Sequence, residues 1–532
     1  MTASQTTAPP QVKYEWGGTI LIAGPPARAL PVTTALGTEP GLRVVAVIDG
    51  PTSEAQAPRG GTIVSGRVAH VSGYLGKFTA EASSGSGLLD LSPLSPNRTG
   101  FFDVVVDLCD SPLCTFEVNP IGYFRPANAM IDVESLAAEI AVLSAGFTKP
   151  RYVRYIEELC THGAQGLTGC TRCLDACPAD ALASSGSRIA LEPGLCRGCG
   201  SCTVACPTGA LISLLPRPSD LRSRLRKILE ALEASGNASP TILFHAENAE
   251  ARDSAALATN NDPDVLAVEV PSLAAIGSDT WLGALAMGAA EVLVLDDPRL
   301  PPTARRVVEE AIEGTREVLG GLGTDAERLR LVSIDTLRQR RPLRRDIRAA
   351  PSDFQDAKAG KRFIVERAIE ALGAASLRNT SRMPLSEASA LGTVRVDEAA
   401  CTLCLACAHI CPTGALTGDA AGETLRFTEG ACVQCGLCTA ACPEDAIELE
   451  PSLEPDAGAR CNARVVHRGA LASCERCGAP FLPRALLHAS LARIGGEKGA
   501  NSEVTQMLNI CPRCRSQAAM REPFIGGERE PH

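Results

Sequence analysis

Short apolar runs bounded by turn residues open the chain. Residues 17–24 (GGTILIAG), 42–49 (LRVVAVID) and 101–108 (FFDVVVDL) each read as a buried strand. The proline-rich segment 24–37 lies between the first two, and 51–98 is rich in Ser, Gly and Ala with a weak strand pattern, TIVSGRVAHVSG. Residues 132–144 (DVESLAAEIAVLS) combine a capping Asp with helical spacing. The segment 1–150 is therefore predicted as a small α/β domain behind a loose polar tail at 1–14.

The middle of the chain alternates more regularly. A helix opens at Pro218 and runs through LRSRLRKILEALEASG. TILFHAE, DVLAVEVP, AEVLVLD and LRLVSID then read as strands, separated by the helical stretches 251–260, 276–289 and 304–323. Strands alternating with helices imply right-handed crossovers and a parallel sheet. Residues 217–350 are accordingly an α/β domain, and 351–392 a charged helical linker.

Composition adds one dominant fact. The chain has 532 residues, 45% hydrophobic and 21% charged, which fits several folded domains. Its 23 cysteines are concentrated in tight runs, with none between Cys206 and Cys401. A secreted disulfide scaffold would not distribute them so. The formal net charge of −10 argues against general nucleic-acid binding, which rests on phosphate neutralisation. The apolar run 282–295 is broken by Glu291 and is too short to span a bilayer, which needs about 20 residues. The N-terminal MTASQTTAPPQVKYEWGG holds no basic-then-apolar leader and no twin-arginine pair, so a cytoplasmic location is expected. No GxGxxG joins a strand to a helix, and GGLG at 320–323 reads as a helix C-cap, so no dinucleotide site is expected.

The cysteine runs repeat. CTRCLDACPADAL at 170 and CRGCGSCTVACPTGAL at 196 form one pair, and CLACAHICPTGAL at 404 and CVQCGLCTAACPEDAI at 432 a second. The pattern Cys-x2-Cys-x2-Cys-x3-Cys-Pro suits a [4Fe-4S] cubane: three close thiolates wrap one face, and the fourth reaches a neighbouring cluster. It is complete at Cys196, Cys199, Cys202, Cys206; at Cys401, Cys404, Cys407, Cys411; and at Cys432, Cys435, Cys438, Cys442. The remaining copy is stretched, with Cys160 separated from Cys170, Cys173 and Cys177 by the insert THGAQGLTG. His162 in that insert is an alternative ligand.

These segments, 151–216 and 393–455, resemble bacterial two-cluster ferredoxins. The resemblance implies crosswise ligation. One cluster takes Cys160, Cys170, Cys173 and Cys206, and its neighbour takes Cys196, Cys199, Cys202 and Cys177. In the second module the sets are Cys401, Cys404, Cys407 with Cys442, and Cys432, Cys435, Cys438 with Cys411. Four [4Fe-4S] clusters follow.

In the final segment, 456–532, Cys474-x2-Cys477 and Cys511-x2-Cys514 flank the helical LPRALLHASLARIGG. Two such knuckles suit one tetrahedral zinc in a zinc-ribbon-like module, with a rubredoxin-type iron as runner-up and redox-active CxxC pairs third. Cys109, Cys114 and Cys461 remain as free thiols.

The fold expected is multidomain: parallel-sheet α/β domains, two α+β ferredoxin-like modules and a zinc-ribbon-like end. The middle domain is similar to the iron–sulfur delta subunit of methyl-viologen-reducing hydrogenases, without its cluster cysteines. There His245 and Glu247 sit at the strand end where such sheets bind ligands. The whole layout resembles proteobacterial polyferredoxins encoded near formate dehydrogenases. The function expected is electron transfer between redox proteins, a formate dehydrogenase among them, without catalysis by the chain alone. The alternatives are an electron-input subunit of a larger oxidoreductase, or an iron–sulfur assembly or sensor factor. The basic run Arg338, Arg340, Arg341, Arg344, Arg345, Arg348 reads as a solvated helix face, with docking of an acidic partner as the alternative.

Overall fold

The computed structural model describes residues 9–51, 61–84, 87–96, 99–126, 132–144, 146–234, 240–339, 360–374, 381–419, 422–496 and 502–521. The first three predicted strands are present as Thr19–Gly24, Arg43–Ile48 and Val104–Asp107. They form the centre of a five-stranded parallel sheet, ordered Gly61–Ser65, Arg43–Ile48, Thr19–Gly24, Val104–Asp107, Tyr123–Phe124. The central strands are buried throughout, as expected of a parallel sheet covered on both faces. Helices Pro26–Leu36 and Val133–Ser144 bury Leu36 and Ile140 in one of these cores.

One reading of this region is corrected and one is refined. The predicted loose tail is ordered from Gln11: Gln11–Lys13 pairs antiparallel with Thr148–Pro150, because Val12 packs into the core beside buried Tyr14. The weak strand pattern in TIVSGRVAHVSG forms two strands. Gly61–Ser65 joins the parallel sheet, while Arg67–Ser72 starts a separate antiparallel sheet after Gly66.

The middle sheet has the expected parallel topology, ordered Val265–Val270, Thr241–Ala246, Glu291–Leu295, Leu329–Val332. Asn248 caps the Ala249–Asn261 helix by accepting from the Ala251 amide. LRLVSID ends as a strand at Val332, because Ser333 caps a new helix, Ile334–Arg338. Trp281 is fully buried at the centre of this core. Helix Lys361–Ala374 buries Ile369 and Leu372 in the same core and packs on Ser278–Ala286. Of the basic run, Arg340, Arg341, Arg344, Arg345 and Arg348 lie outside the described residues, and Arg338 faces Asp335 at 3.9 Å.

Each cysteine-rich module is built on short antiparallel pairs. Val153–Tyr155 pairs with Leu211–Ser213, and Leu182–Ser185 with Arg188–Leu191. In the second module Gly392–Val396 pairs with Ile447–Leu453, and Leu416–Gly418 with Thr424–Phe427. Among the described residues no helix is long and apolar enough to cross a membrane.

Candidate metal centres

The motif spacing forces a tight local backbone. Between the first and third cysteines the chain enters the left-handed region twice: at Gly198 and Gly200 (φ 78° and 89°), Leu403 and Leu405 (58° and 61°), and Gln434 and Gly436 (53° and 84°). Leucine in that region costs about 1–2 kcal/mol per residue, so it persists only where its surroundings demand it. Such alternation gathers backbone N–H groups into a concavity suited to an anion. The third cysteine of each motif lies on a short helix: Cys173 on Arg172–Asp175, Cys202 on Ser201–Ala205, Cys407 on Ala406–Ile410 and Cys438 on Leu437–Ala440.

The structure brings the predicted cysteines together in fours. Cys160, Cys170, Cys173 and Cys206 line one small cavity. Cys401, Cys404, Cys407 and Cys442 line another. Cys196 and Cys202 lie close enough to Cys199 and Cys177 for their charges to interact, and so do Cys435 and Cys438 with Cys432 and Cys411. Within each module the two groups are neighbours, Cys202 near Cys173 and Cys438 near Cys407.

Ionising these thiols without a counter-charge is unfavourable. Burial first, then neighbouring cysteines, pushes Cys173, Cys407 and Cys438 up to about 12 and Cys435 to about 11. A bound metal reverses this, since a coordinating thiol is deprotonated outright. Four crowded thiols around a pocket of N–H donors therefore fit an iron–sulfur cube. The Ala181 and Ala446 amides already point at Cys177 and Cys442 Sγ, at 3.2 and 3.3 Å. Such N–H···S bonds tune cluster potential.

The insert between Cys160 and Cys170 is a β-hairpin, Gly163–Ala164 against Leu167–Thr168. Gln165 and Gly166 both have positive φ, the turn geometry that two-residue hairpins favour. Folding the insert back on itself is what leaves Cys160 beside Cys170. His162 lies at the same cavity, but both ring nitrogens are engaged: Nδ1 with the Cys170 carbonyl at 2.9 Å and Nε2 with Ser184 Oγ at 2.8 Å.

Motif spacing did not reveal several supporting side chains. Gln434 Nε2 donates to Cys432 Sγ at 3.4 Å. The buried Arg362 guanidinium opposes the rise that burial imposes on Cys432. Lys149 Nζ donates to the Gly194 and Cys196 carbonyls at 2.9 and 2.7 Å. All three come from outside the repeated spacing or from its variable positions, so the repeat carries no signal for them.

At the C-terminal end, Cys474, Cys477, Cys511 and Cys514 form a second kind of site, their Sγ atoms all within 4.8 Å of one another. Cys477 and Cys511 Sγ are 3.8 Å apart. That matches the roughly 3.8 Å edge of a tetrahedron with bonds of about 2.3 Å, the zinc–sulfur length. The first pair sits at a hairpin, Leu471–Ser473 with Pro480–Pro483, and Cys514 on helix Pro512–Arg521. Burial pushes Cys474 up, but N–H donors from Cys511, Cys477 and Arg476 outweigh it and hold the thiol down at about 6. A hydrogen bond with Cys477, then burial, pushes Cys514 up to about 12. Four sulfurs this close together form a donor set that a divalent cation completes.

The remaining candidates gather no such set. Cys109 and Cys114 border an apolar core, where burial raises both, Cys109 to about 12; Cys461 is exposed. Buried His245 spends Nδ1 on the adjacent Ala246 carbonyl, and exposed Glu247 faces Arg252.

Two family models match the chain, each described as a 4Fe-4S dicluster domain, one over residues 168–210 and one over 400–447. The chain thus carries two 4Fe-4S dicluster ferredoxin domains, and an iron–sulfur electron-transfer role follows from them. No curated protein matches the chain.

Proposed function

We propose that the chain is a four-cluster electron relay. In this reading Cys160, Cys170, Cys173 and Cys206 hold one [4Fe-4S] cluster, and Cys177, Cys196, Cys199 and Cys202 its neighbour. In the second module Cys401, Cys404, Cys407 and Cys442 hold a third, and Cys411, Cys432, Cys435 and Cys438 the fourth. The observation that carries the reading is the crosswise convergence, each motif's last cysteine lying with the first three of its partner motif. A bound cubane supplies one-electron storage. The protein's own contribution is to bury the thiolates, aim N–H groups at sulfur, and hold the sets in fixed positions.

The Cys474, Cys477, Cys511, Cys514 site holds zinc in this proposal, supported by its sulfur spacing and closed thiolate set. Its role is structural, tying a ribbon-like hairpin to the last helix. Domain limits near 150, 216, 392 and 455 separate the two dicluster modules from the α/β units, the helix Lys361–Ala374 of the expected linker being packed into the middle α/β core. The free thiols such clusters need support a reducing, cytoplasmic setting. The partners are redox proteins; the layout's likeness to polyferredoxins near formate dehydrogenases, and of the middle domain to the hydrogenase delta subunit, supports an oxidoreductase of that kind.

Iron, sulfide and zinc analysis of anaerobically purified protein tests the reading. About sixteen iron, sixteen sulfide and one zinc per chain are expected for four cubanes and a four-thiolate zinc. About twelve iron would remove the Cys160 set from the relay, and clusters that dithionite cannot reduce would sink the relay altogether.

A further inference from the structure

The two dicluster modules are far apart in sequence, yet the insert of one touches the motif of the other. Gly169, the last residue of the insert, packs against the Cys435 loop. A Cβ placed there would lie 2.7 Å from Leu437 Cγ and 3.1 Å from the Cys435 carbonyl oxygen, with the Thr161 carbonyl 2.8 Å away on its own side. Real side chains do not tolerate the first and third of those distances, so only glycine allows this approach. The Leu167–Thr168 strand lies along the Leu437–Ala440 helix that carries Cys438.

Side chains lock the junction from both directions. Arg172, between Cys170 and Cys173, donates to the Ala388 and Ser389 carbonyls, which lead into the second module. On the opposite side Arg362 Nε donates to the Gly430 carbonyl, two residues before Cys432, while Lys361 Nζ donates to the Thr203 and Val204 carbonyls of the first module.

Resting on the four-cluster reading, we propose that the 161–169 hairpin is an electron-transfer junction that joins the two modules into one line of four sites. The order along that line is the Cys196 set, the Cys170 set, the Cys435 set and the Cys401 set. The inner two face each other across Gly169 and Leu437, and the outer two are the entry and exit. Each transfer across the junction moves one electron: the donor-side site is oxidised by one, the acceptor-side site is reduced by one, and no bond or proton changes place. The electron comes from an external one-electron reductant. The insert, which a dicluster motif does not need for ligation, thereby acquires a purpose: it supplies the face on which the second module docks.

Two double variants read the order directly by electron paramagnetic resonance after dithionite reduction. Cys199→Ala with Cys404→Ala leaves the two inner sites, whose close spins are expected to give broadened, fast-relaxing lines. Cys173→Ala with Cys435→Ala leaves the two outer sites, expected to give narrow, independent spectra. Each should keep about half the iron of the parent, eight rather than sixteen atoms. Iron that does not fall to half overturns the four-cluster reading and the junction with it. Iron that halves, with equal coupling in both variants or coupling only in the outer pair, overturns the junction alone. Gly169→Leu in the inner-pair background provides an independent arm: unchanged iron with loss of spin coupling is expected, and coupling that survives would overturn the role of the hairpin.

Discussion

Lys361 and Arg362 stand side by side at the start of one helix and grip different modules. Lys361 Nζ reaches the Thr203 and Val204 carbonyls at 2.8 and 2.6 Å, and Arg362 Nε the Gly430 carbonyl at 2.9 Å. One face of that helix, Ile364, Val365, Ala368, Ile369 and Leu372, is buried, most of it in the middle domain. The two iron–sulfur modules are therefore positioned by the α/β unit between them in sequence, through two cations a single residue apart.

Arg362 also ion-pairs with Glu366 at 3.0 Å, and Glu366 accepts from buried Arg460 at 3.0 Å. Stripping a buried charge of its partner costs about 3–5 kcal/mol, but Arg362→Gln leaves Glu366 paired with Arg460, so the thermal midpoint should fall by less than that. The substitution also removes a positive charge beside Cys432, which favoured the more negative, reduced state of that site. The midpoint potential of one cluster should become more negative while the others hold still. A redox titration followed by electron paramagnetic resonance checks this; an unchanged set of potentials would refute the electrostatic role.

Leu372 is nearly fully buried among Trp281, Leu319, Leu322 and Ile369. Leu372→Ala should cost about 2–5 kcal/mol, from lost transfer energy and the cavity left behind. Trp281 sits in the same core and reports on it. The expected result is an earlier red shift of tryptophan emission on denaturant unfolding, with iron content of the folded protein unchanged. Loss of iron before the emission shift would place the helix's main role in the modules instead.

The cysteine modules were legible because ligand geometry constrains spacing, and spacing survives in sequence. The middle sheet was legible because apolar strands alternate with capped helices, Asn248 being one such cap. The contacts that join the units were not. Gly169 looks like any loop glycine until Leu437 is placed against it, and that contact spans 268 positions. Lys361 and Arg362 read as surface charges, since only the fold reveals which carbonyls they reach.

Cys511 is buried beside Ile510 and Phe481, and its amide donates to Cys474 Sγ at 3.2 Å. Replacing it leaves three thiolates, short of the four a closed structural zinc site uses. Cys511→Ser should release the metal and make the chain beyond about residue 470 sensitive to protease, while iron and sulfide stay at the parent level. Elemental analysis with limited proteolysis checks both. Equal loss of iron and zinc would mean that the C-terminal site and the clusters fold as one unit.

His162 separates two accounts of the stretched motif. A histidine ligand needs a ring nitrogen with a free lone pair, and here Nδ1 meets the Cys170 carbonyl while Nε2 meets Ser184 Oγ. A nitrogen facing a carbonyl must be the N–H donor, which makes Nδ1 the protonated one and leaves Nε2 to accept from the serine hydroxyl. Neither is then available to iron. His162→Ala should keep all the iron of the parent, about sixteen atoms for four cubanes. It should still loosen the insert, because the ring is the only link among the described residues between that Cys170 carbonyl and Ser184. Faster oxygen-driven loss of one cluster is the expected sign of that loosening, while Cys160→Ala should lose the same cluster at once. If His162→Ala instead drops straight to about twelve iron while Cys160→Ala retains them, the fourth ligand of that cluster is the histidine.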